Sequence, residues 1–319
     1  MKRLLLALLF VVLVFVIAVT GGSFYMLSYS LSPDDNRRDT DSFYVQLFER
    51  YPDIQQWTDS IRGNNLLRDT FVTMPTGERH HALYMRNDSA CGRTALIVHG
   101  YKDCGVKFLY LGRMYFEGFH YNILLPDLHA HGLSDGEAIG MGWNERKDII
   151  HWISLIDSIF PDSIDNSSIV LHGVSMGAAT VMNVSGEMLP PTVKAIIEDC
   201  GYTSAWDEFA CQLTEQFGLP AFPLMYSTSI LCRLRYGWFF SDDSPLKQVA
   251  KATVPMLFIH GGNDSFVPTW MIKPLSDAYR DSSKRKVWMA PGSDHASSFR
   301  DHPEEYEKTV EDFLKDIIR

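Results

Sequence analysis

The chain has 319 residues and a formal net charge of −10, and 46% of its residues are hydrophobic. This composition is ordinary for a globular protein, so it excludes a disordered, collagen-like or coiled-coil chain, and the length allows a sizeable core. The acidic balance argues against a nucleic-acid partner, because neutralising phosphates requires a basic surface. A mean hydropathy of −0.08 excludes a polytopic membrane protein but permits one membrane segment.

An apolar segment begins the chain. Lys2 and Arg3 precede a continuous apolar run over residues 4–19, and the next charged residue is Asp34. As a helix, this run is about 24 Å long, which is shorter than the hydrocarbon core of about 30 Å. Extending it to residue 27 gives about 36 Å and places aromatic residues at the far interface. We therefore predict an N-terminal transmembrane helix within residues 1–33.

This segment has more than one interpretation, because a signal anchor and a cleaved signal peptide share the same features. Residues 18–20 (Ala-Val-Thr) form a poor cleavage site, which favours the anchor. A buried core helix is a third interpretation. Lys2 and Arg3 favour a cytoplasmic N-terminus, which would place the body outside, in the periplasm or extracellular space. Arg37 and Arg38 weaken this prediction, because they lie on the other side of the span. Cleavage would instead give a secreted protein.

The remaining chain shows a regular alternation of elements. Residues 34–65 predict a linker followed by juxtamembrane helices. From residue 66, strands alternate with helices: we predict strands at 69–74, 80–85, 94–98, 121–125, 168–171, 193–197, 254–259 and 286–289, and helices at 108–119, 143–160, 176–188 and 303–318. Such alternation predicts an α/β fold with a mostly parallel sheet and helices on both faces. Chemistry in such sheets lies beyond the carboxyl ends of the strands.

The five cysteines form an odd set without a C-x-x-C motif. In an exported protein, Cys211 and Cys232 could form a disulfide, which leaves at least one thiol unpaired. The interpretation that we favour is that the cysteines are small buried hydrophobic residues.

Residues 173–177 read Gly-Val-Ser-Met-Gly and connect a predicted strand to a predicted helix. The G-x-S-x-G string is weakly specific by itself, but this context is typical of a nucleophile elbow. Its glycines leave room for a strained turn, which would raise Ser175 Oγ above the sheet. The first amides of the helix would then point at a developing oxyanion.

A nucleophilic serine needs a base, and the base needs an orienting acid. Asp264 and His295 follow Ser175 in the chain, and each lies in a loop directly after a predicted strand. All three residues would therefore meet at one edge of the sheet. We predict a catalytic triad of Ser175, Asp264 and His295. Asp199, which also follows a strand, is the alternative acid.

The oxyanion would need two backbone donors. We predict the amide of Met176 and that of Tyr101, which follows His99 and Gly100 in the loop after strand 94–98. Gly100 would let the backbone approach closely. For His99 we favour a structural role that braces this loop.

These residues resemble the α/β-hydrolase superfamily over residues 66–319. Residues 126–134 (Pro-Asp-Leu-His-Ala-His-Gly-Leu-Ser) are similar to the Asp-x-Arg-Gly-His-Gly-x-Ser stretch of esterases and monoacylglycerol-lipase-like members, with His129 and Ala130 departing from it. The resemblance implies the α/β-hydrolase fold with a small helical lid. His129 and His131 have the spacing of metal ligands, but no third ligand follows at a suitable spacing, so we expect no metal.

The resemblance places a helical lid at about residues 201–250. This segment is rich in aromatic residues, which fits either an apolar acyl pocket over Ser175 or a lid packed on the body. The sequence alone leaves both open.

We therefore predict a membrane-anchored serine hydrolase that cleaves carboxylic esters, small or lipid-like, without a metal or organic cofactor. A serine peptidase similar to prolyl-oligopeptidase-like members is the alternative, and Asp207 and Glu208 are its candidates for binding a substrate amine. An acyltransferase and a non-catalytic binding protein on the same fold are further alternatives. Natural substrate, acyl-chain length and oligomeric state do not follow from the sequence.

Overall fold

A single eight-stranded sheet organises the protein in this computed structural model, which describes residues 1–161 and 167–318. The strands follow the order β1-β2-β4-β3-β5-β6-β7-β8 and span Arg68–Thr73 (β1), Arg79–Met85 (β2), Arg93–Val98 (β3), Asn122–Pro126 (β4), Ser168–Val174 (β5), Val193–Asp199 (β6), Met256–Gly261 (β7) and Arg285–Ala290 (β8). β2 pairs antiparallel with β1 and β4, and all other neighbours are parallel. The predicted mostly parallel sheet is confirmed.

The central strands are buried on both faces, which explains their continuous apolar sequences. On β3, Leu96 and Val98 belong to the core on one face, whereas Ala95 and Ile97 belong to the core on the other. The edge strand β1 is more exposed along its length.

Helices cover both faces, as expected. They span Lys2–Leu31 (α1), Thr40–Arg50 (α2), Gln55–Gly63 (α3), Leu109–Arg113 (α4), Glu145–Ile159 (α5), Met176–Ser185 (α6), Ala205–Phe217 (α7), Leu224–Tyr236 (α8), Pro245–Val249 (α9), Ile272–Ala278 (α10), Ser298–Asp301 (α11) and Pro303–Leu314 (α12). Side chains of α5 and α6 join the first core, and those of α2 and α12 join the second. Helices α7, α8 and α9 lie between β6 and β7 in the chain, where the lid was predicted.

The helical prediction for residues 108–119 is confirmed, with helical turns of three kinds. This segment consists of a 3-10 turn at Gly105–Phe108, the short α4, and a π-helical turn at Met114–Gly118. The chain lies so close to β4 here that a Cβ on Gly105 would be 2.7 Å from the carbonyl oxygen of Leu125. The helix therefore begins in close contact with this strand.

Helix α1 is long and apolar enough to cross a membrane by length and composition, and it is the one such helix within the described residues. Its large apolar side chains from Leu4 to Ile17 are exposed, but Ser23, Leu27 and Leu31 are buried against the rest of the protein. One face of the extension to residue 27 is thus buried in the protein, whereas Phe24 and Tyr25 are 51% and 60% exposed. The part before Ser23 is about 31 Å long at 1.5 Å per residue, which is close to the thickness of the hydrocarbon core.

All five cysteines are free, so the Cys211–Cys232 disulfide does not form in this structure. Cys104, Cys200 and Cys232 are buried, as the preferred interpretation expected, whereas Cys91 is exposed.

Candidate active site

Ser175 sits at a strained turn between β5 and α6. Its φ and ψ angles are 58° and −120°, a conformation that a non-glycine residue rarely adopts. A Cβ on Gly173 would lie 2.1 Å from the carbonyl oxygen of Gly177, and one on Gly177 would lie 2.1 Å from that of Val98. Both glycines are therefore required for α6 to start this close to the sheet.

The loops after β7 and β8 bring two side chains to this turn. Ser175 Oγ lies 2.8 Å from His295 Nε2, and His295 Nδ1 lies 2.7 Å from Asp264 Oδ2. Because the carboxylate accepts the Nδ1 proton, Nε2 keeps a lone pair that can accept the serine proton. The three residues predicted from the sequence thus form one hydrogen-bonded chain.

Asp264 is fully buried and held by its own loop. Its Oδ1 accepts hydrogen bonds from the amides of Phe266 and Val267, at 3.0 and 2.9 Å. His260 approaches Oδ2 at 3.4 Å, but burial lowers the pKa of His260, and its Nε2 donates instead to the carbonyl of Val267. The carboxylate therefore has a fixed orientation and one free oxygen for His295.

Asp199, the alternative acid, has other partners. Its Oδ2 accepts a hydrogen bond from the Tyr306 hydroxyl at 3.0 Å, and its backbone oxygen accepts one from the Ser175 amide at 2.8 Å. Burial raises the pKa of Asp199 to about 6, although the bond from Tyr306 opposes this shift. Asp199 supports the turn, while Asp264 is the acid that contacts His295.

The loop after β3 runs past Ser175. A Cβ on Gly100 would lie 3.5 Å from Ser175 Cβ, an ordinary contact, and the next residue, Tyr101, lines the same cavity as Ser175 and Met176. His99 is fully buried and braces this loop, because its Nε2 accepts from the Leu128 amide at 2.9 Å and its Nδ1 donates to Gly100. This is the structural role expected for His99.

A cavity of about 180 Å³ opens above Ser175. Its walls come from the loops that hold Tyr101 and Phe266, from helix α7, and from the end of α1; the lining side chains include Met141, Tyr202, Glu208, Phe209, Gln212 and Val267. Most of these side chains are apolar or aromatic, so the cavity suits a small, largely apolar molecule.

The sequence interpretation missed that α1 contributes to this cavity. Tyr29 and Ser30 line it, and the Tyr101 hydroxyl donates to the Ser30 carbonyl at 2.8 Å. A signal was present, since serines at residues 23, 28, 30 and 32 interrupt the apolar character of the helix end.

Two groups of side chains have the spacing of metal ligands among the described residues. Glu78, His80 and His129 form one, with His129 Nδ1 at 3.2 Å and His80 Nε2 at 3.9 Å from Glu78 Oε2. Nitrogen and oxygen donors of this kind suit zinc. The group uses His129 without His131, and none of its members lines the cavity at Ser175. The other group is Cys200 with Asp264 and His295, where burial raises the pKa of the thiol.

The chain belongs to the alpha/beta hydrolase family, whose sequence model matches residues 95–309. The uncharacterised protein YqkD of Bacillus subtilis (strain 168) is 28% identical over 227 residues, which cover 70% of this chain and 72% of that protein.

Solved structures share this fold. An esterase from Pyrococcus furiosus has a TM-score of 0.66 and 19% identity, and the match covers 81% of this chain and 96% of the esterase. An acylaminoacyl peptidase from Pyrococcus horikoshii has a TM-score of 0.58 and 16% identity, and the match covers 82% of this chain and 43% of the peptidase. Likeness at these identities concerns the fold alone. It leaves the activity of this protein, and any bond that it cleaves, open.

Proposed function

We propose that this protein is a membrane-anchored serine hydrolase that cleaves carboxylic esters through an acyl-enzyme. The observation that carries the proposal is the hydrogen-bonded chain from Ser175 through His295 to Asp264, at the floor of a mostly apolar cavity. A serine on a strained turn with an oriented base has the arrangement that nucleophilic catalysis requires.

In this mechanism, Ser175 Oγ attacks the ester carbonyl carbon while His295 Nε2 accepts the hydroxyl proton. Asp264 keeps the Nδ1 proton in place and stabilises the imidazolium. The amides of Tyr101 and Met176 donate to the oxyanion of the tetrahedral intermediate. His295 then returns the proton to the leaving alcohol, and water hydrolyses the acyl-enzyme by the same steps. None of these steps needs a metal or an organic cofactor.

The cavity favours esters over peptides as substrates. A peptidase that binds a substrate amine would need a carboxylate, and of the two candidates in the lid, Glu208 lines the cavity. Burial raises the pKa of Glu208 to about 8, so this side chain is mainly neutral at pH 7 and attracts a cation weakly. Asp207 instead accepts a hydrogen bond from Thr203 Oγ1 at 2.6 Å.

We further propose that α1 remains attached as an anchor and that the hydrolase body, residues 66–319 with its lid at about 201–250, faces outward. Lys2 and Arg3 support a cytoplasmic N-terminus. The large apolar side chains from Leu4 to Ile17 are exposed, and this exposure supports a helix that remains attached in the membrane. The substrate is a small or lipid-like ester, and no nucleic-acid partner is expected at a net charge of −10.

A fluorophosphonate probe tests the nucleophile. We expect it to label the wild-type protein and not the Ser175→Ala variant, which should also lose ester turnover by a factor on the order of 10⁵ to 10⁶. Ser154→Ala is the matched control, since Ser154 is exposed on α5 and should keep full labelling. Equal labelling of wild type and Ser175→Ala would refute the assignment. Comparing p-nitrophenyl esters with aminoacyl-anilides, in water and with added alcohols, separates esterase, peptidase and acyltransferase.

A further inference from the structure

The last turns of α1 belong to the folded body. Leu27 and Leu31 are 1% and 0% exposed, and the amide of Ile139 donates to the Leu31 carbonyl at 2.8 Å. Ser23 Oγ donates to Ser227 Oγ on α8 at 2.7 Å. Helix α1 is therefore fixed to the body by apolar packing and one hydrogen bond, and to the lid by another hydrogen bond.

A second cavity, of about 40 Å³, lies between α1, α7 and α8. Its walls are mainly apolar and include Met26, Leu213, Leu224, Met225 and Phe240. It is smaller than the cavity at Ser175 and contains none of the proposed catalytic residues.

The two cavities are neighbours, because Tyr29, Ser30, Phe209, Gln212 and Gln216 line both. Among these, the half-exposed Tyr29 and the exposed Gln216 are hydrogen-bonded to each other: the tyrosine hydroxyl donates to Gln216 Oε1 at 2.8 Å. The Tyr29 ring also packs edge-on against Phe217, with 5.6 Å between the ring centroids. This pair, which we call the Tyr29 partition, lies where the linings of the cavity at Ser175 and the second cavity meet.

We propose that the second cavity is a distal acyl site, which takes the end of a long acyl chain whose ester group lies at Ser175, and that Tyr29 sets the chain length that fits. The inference rests on the proposed function and names its substrate class: an ester of a long-chain fatty acid, drawn from the membrane. A short acyl chain fits in the first cavity, whereas a long one must displace the Tyr29 side chain.

The bilayer as the source of this ester follows from the position of α1. Since the part of α1 before Ser23 is about as long as the hydrocarbon core is thick, the turns that line both cavities begin near the membrane interface. Helix α8, which packs against α1, adds Tyr226, Ile230 and Leu234, which are 54%, 55% and 80% exposed. Their four-residue spacing puts these side chains on one face of α8, beside the membrane helix. Such a face is suited to the boundary between head groups and acyl chains.

Chain-length selectivity of the full-length protein in detergent tests the distal site. The readout is the ratio of kcat/KM for p-nitrophenyl dodecanoate to that for p-nitrophenyl butanoate. We expect Tyr29→Ala to raise this ratio by on the order of tenfold, because the two cavities join. Leu224→Trp should lower it by a similar factor, because the indole fills the second cavity. Phe24→Ala is the control, since Phe24 is exposed on α1 and lines neither cavity.

Fluorophosphonate labelling of each variant separates the possible failures. If the wild type is labelled and both variants keep its selectivity ratio, the distal site is refuted and the serine hydrolase assignment stands. If the wild type is not labelled, the proposed function fails and this inference fails with it. A variant that loses labelling is misfolded, and the other variant then decides.

The membrane source has its own test. Turnover of monododecanoyl glycerol in phosphatidylcholine vesicles should fall when Ile230 and Leu234 are both changed to Ser, while hydrolysis of soluble p-nitrophenyl butanoate should stay at the wild-type rate. Equal turnover in vesicles would show that the ester does not enter from the bilayer on this side.

Discussion

The sheet edge that carries Ser175 and the helical roof above it are held in different ways. At the edge, backbone groups fix the geometry: Gly177 packs directly on the backbone of β3, and two amides hold Asp264 Oδ1. The roof consists of helices α1, α7 and α8, whose side chains pack against one another. Tyr29 and Leu27 are two of these side chains. Backbone packing leaves no room for substitution, whereas a side-chain interface can be repacked. Substitutions at the edge should therefore affect the proposed chemistry, and substitutions in the roof should affect the proposed selectivity.

Among substitutions at the sheet edge, we expect the largest effect from one that disturbs the orientation and protonation of His295, the proposed base. Asp264→Asn should lower kcat by on the order of 10⁴-fold, because the amide no longer favours the tautomer of His295 that carries its proton on Nδ1. The matched control is Asp199→Asn, which removes a neighbouring buried carboxylate without touching His295 Nδ1. Steady-state kinetics on a short ester measures both. A comparable loss in the two variants would mean that Asp264 has no special role.

A pair of glycines compares the two regions directly. Gly177→Ala should lower the free energy of unfolding by about 3 kcal/mol or more, because the new Cβ would lie 2.1 Å from a backbone oxygen that cannot move away. Gly22→Ala, at the α1–α8 contact, places its Cβ 3.1 Å from Leu224 Cδ1, the end of a flexible side chain. We expect its effect to stay within about 1 kcal/mol. Thermal and denaturant unfolding in detergent would measure both, and similar losses would contradict the contrast.

A smaller effect is the pH dependence of the free energy of unfolding that Glu208, on helix α7 of the roof, contributes. Burial raises the pKa of Glu208 from 4.5 to about 8, so the folded state keeps its proton over a range where the unfolded chain has lost it. Stability should therefore fall as the pH rises from about 4.5 to about 8. Glu208→Gln, which cannot ionise, should be more stable than the wild type by more than about 1 kcal/mol at pH 9, with a smaller difference at pH 5.

The control for this pH effect is Glu215→Gln, which changes an exposed glutamate on the same helix. As a surface substitution, it should change the free energy of unfolding by no more than about 0.5 kcal/mol. A pH-independent difference for Glu208→Gln would contradict the raised pKa.

Much of the fold could be predicted because the signals are local. Continuous apolar runs such as residues 94–98 identify strands buried on both faces. The two glycines of the G-x-S-x-G string predict the tight turn at Ser175. Residues 108–119 were correctly predicted as helical, but the spacing of apolar residues does not distinguish α from 3-10 or π turns. Helix α10 was not predicted, since its seven residues give too little periodicity to identify.

The sequence by itself determined the α/β class and brought Ser175, Asp264 and His295 to one sheet edge, because parallel strands end together and each residue follows a strand. Only the tertiary structure decided between Asp264 and Asp199 as the partner of His295, since both follow strands and their distances to the imidazole depend on how the loops fold. The contribution of α1 to the cavity walls was decided in the same way. The sequence of an apolar helix has the same character whether lipid or protein covers it. Only the packing of α1 against the body shows that Tyr29 lies in the walls of both cavities.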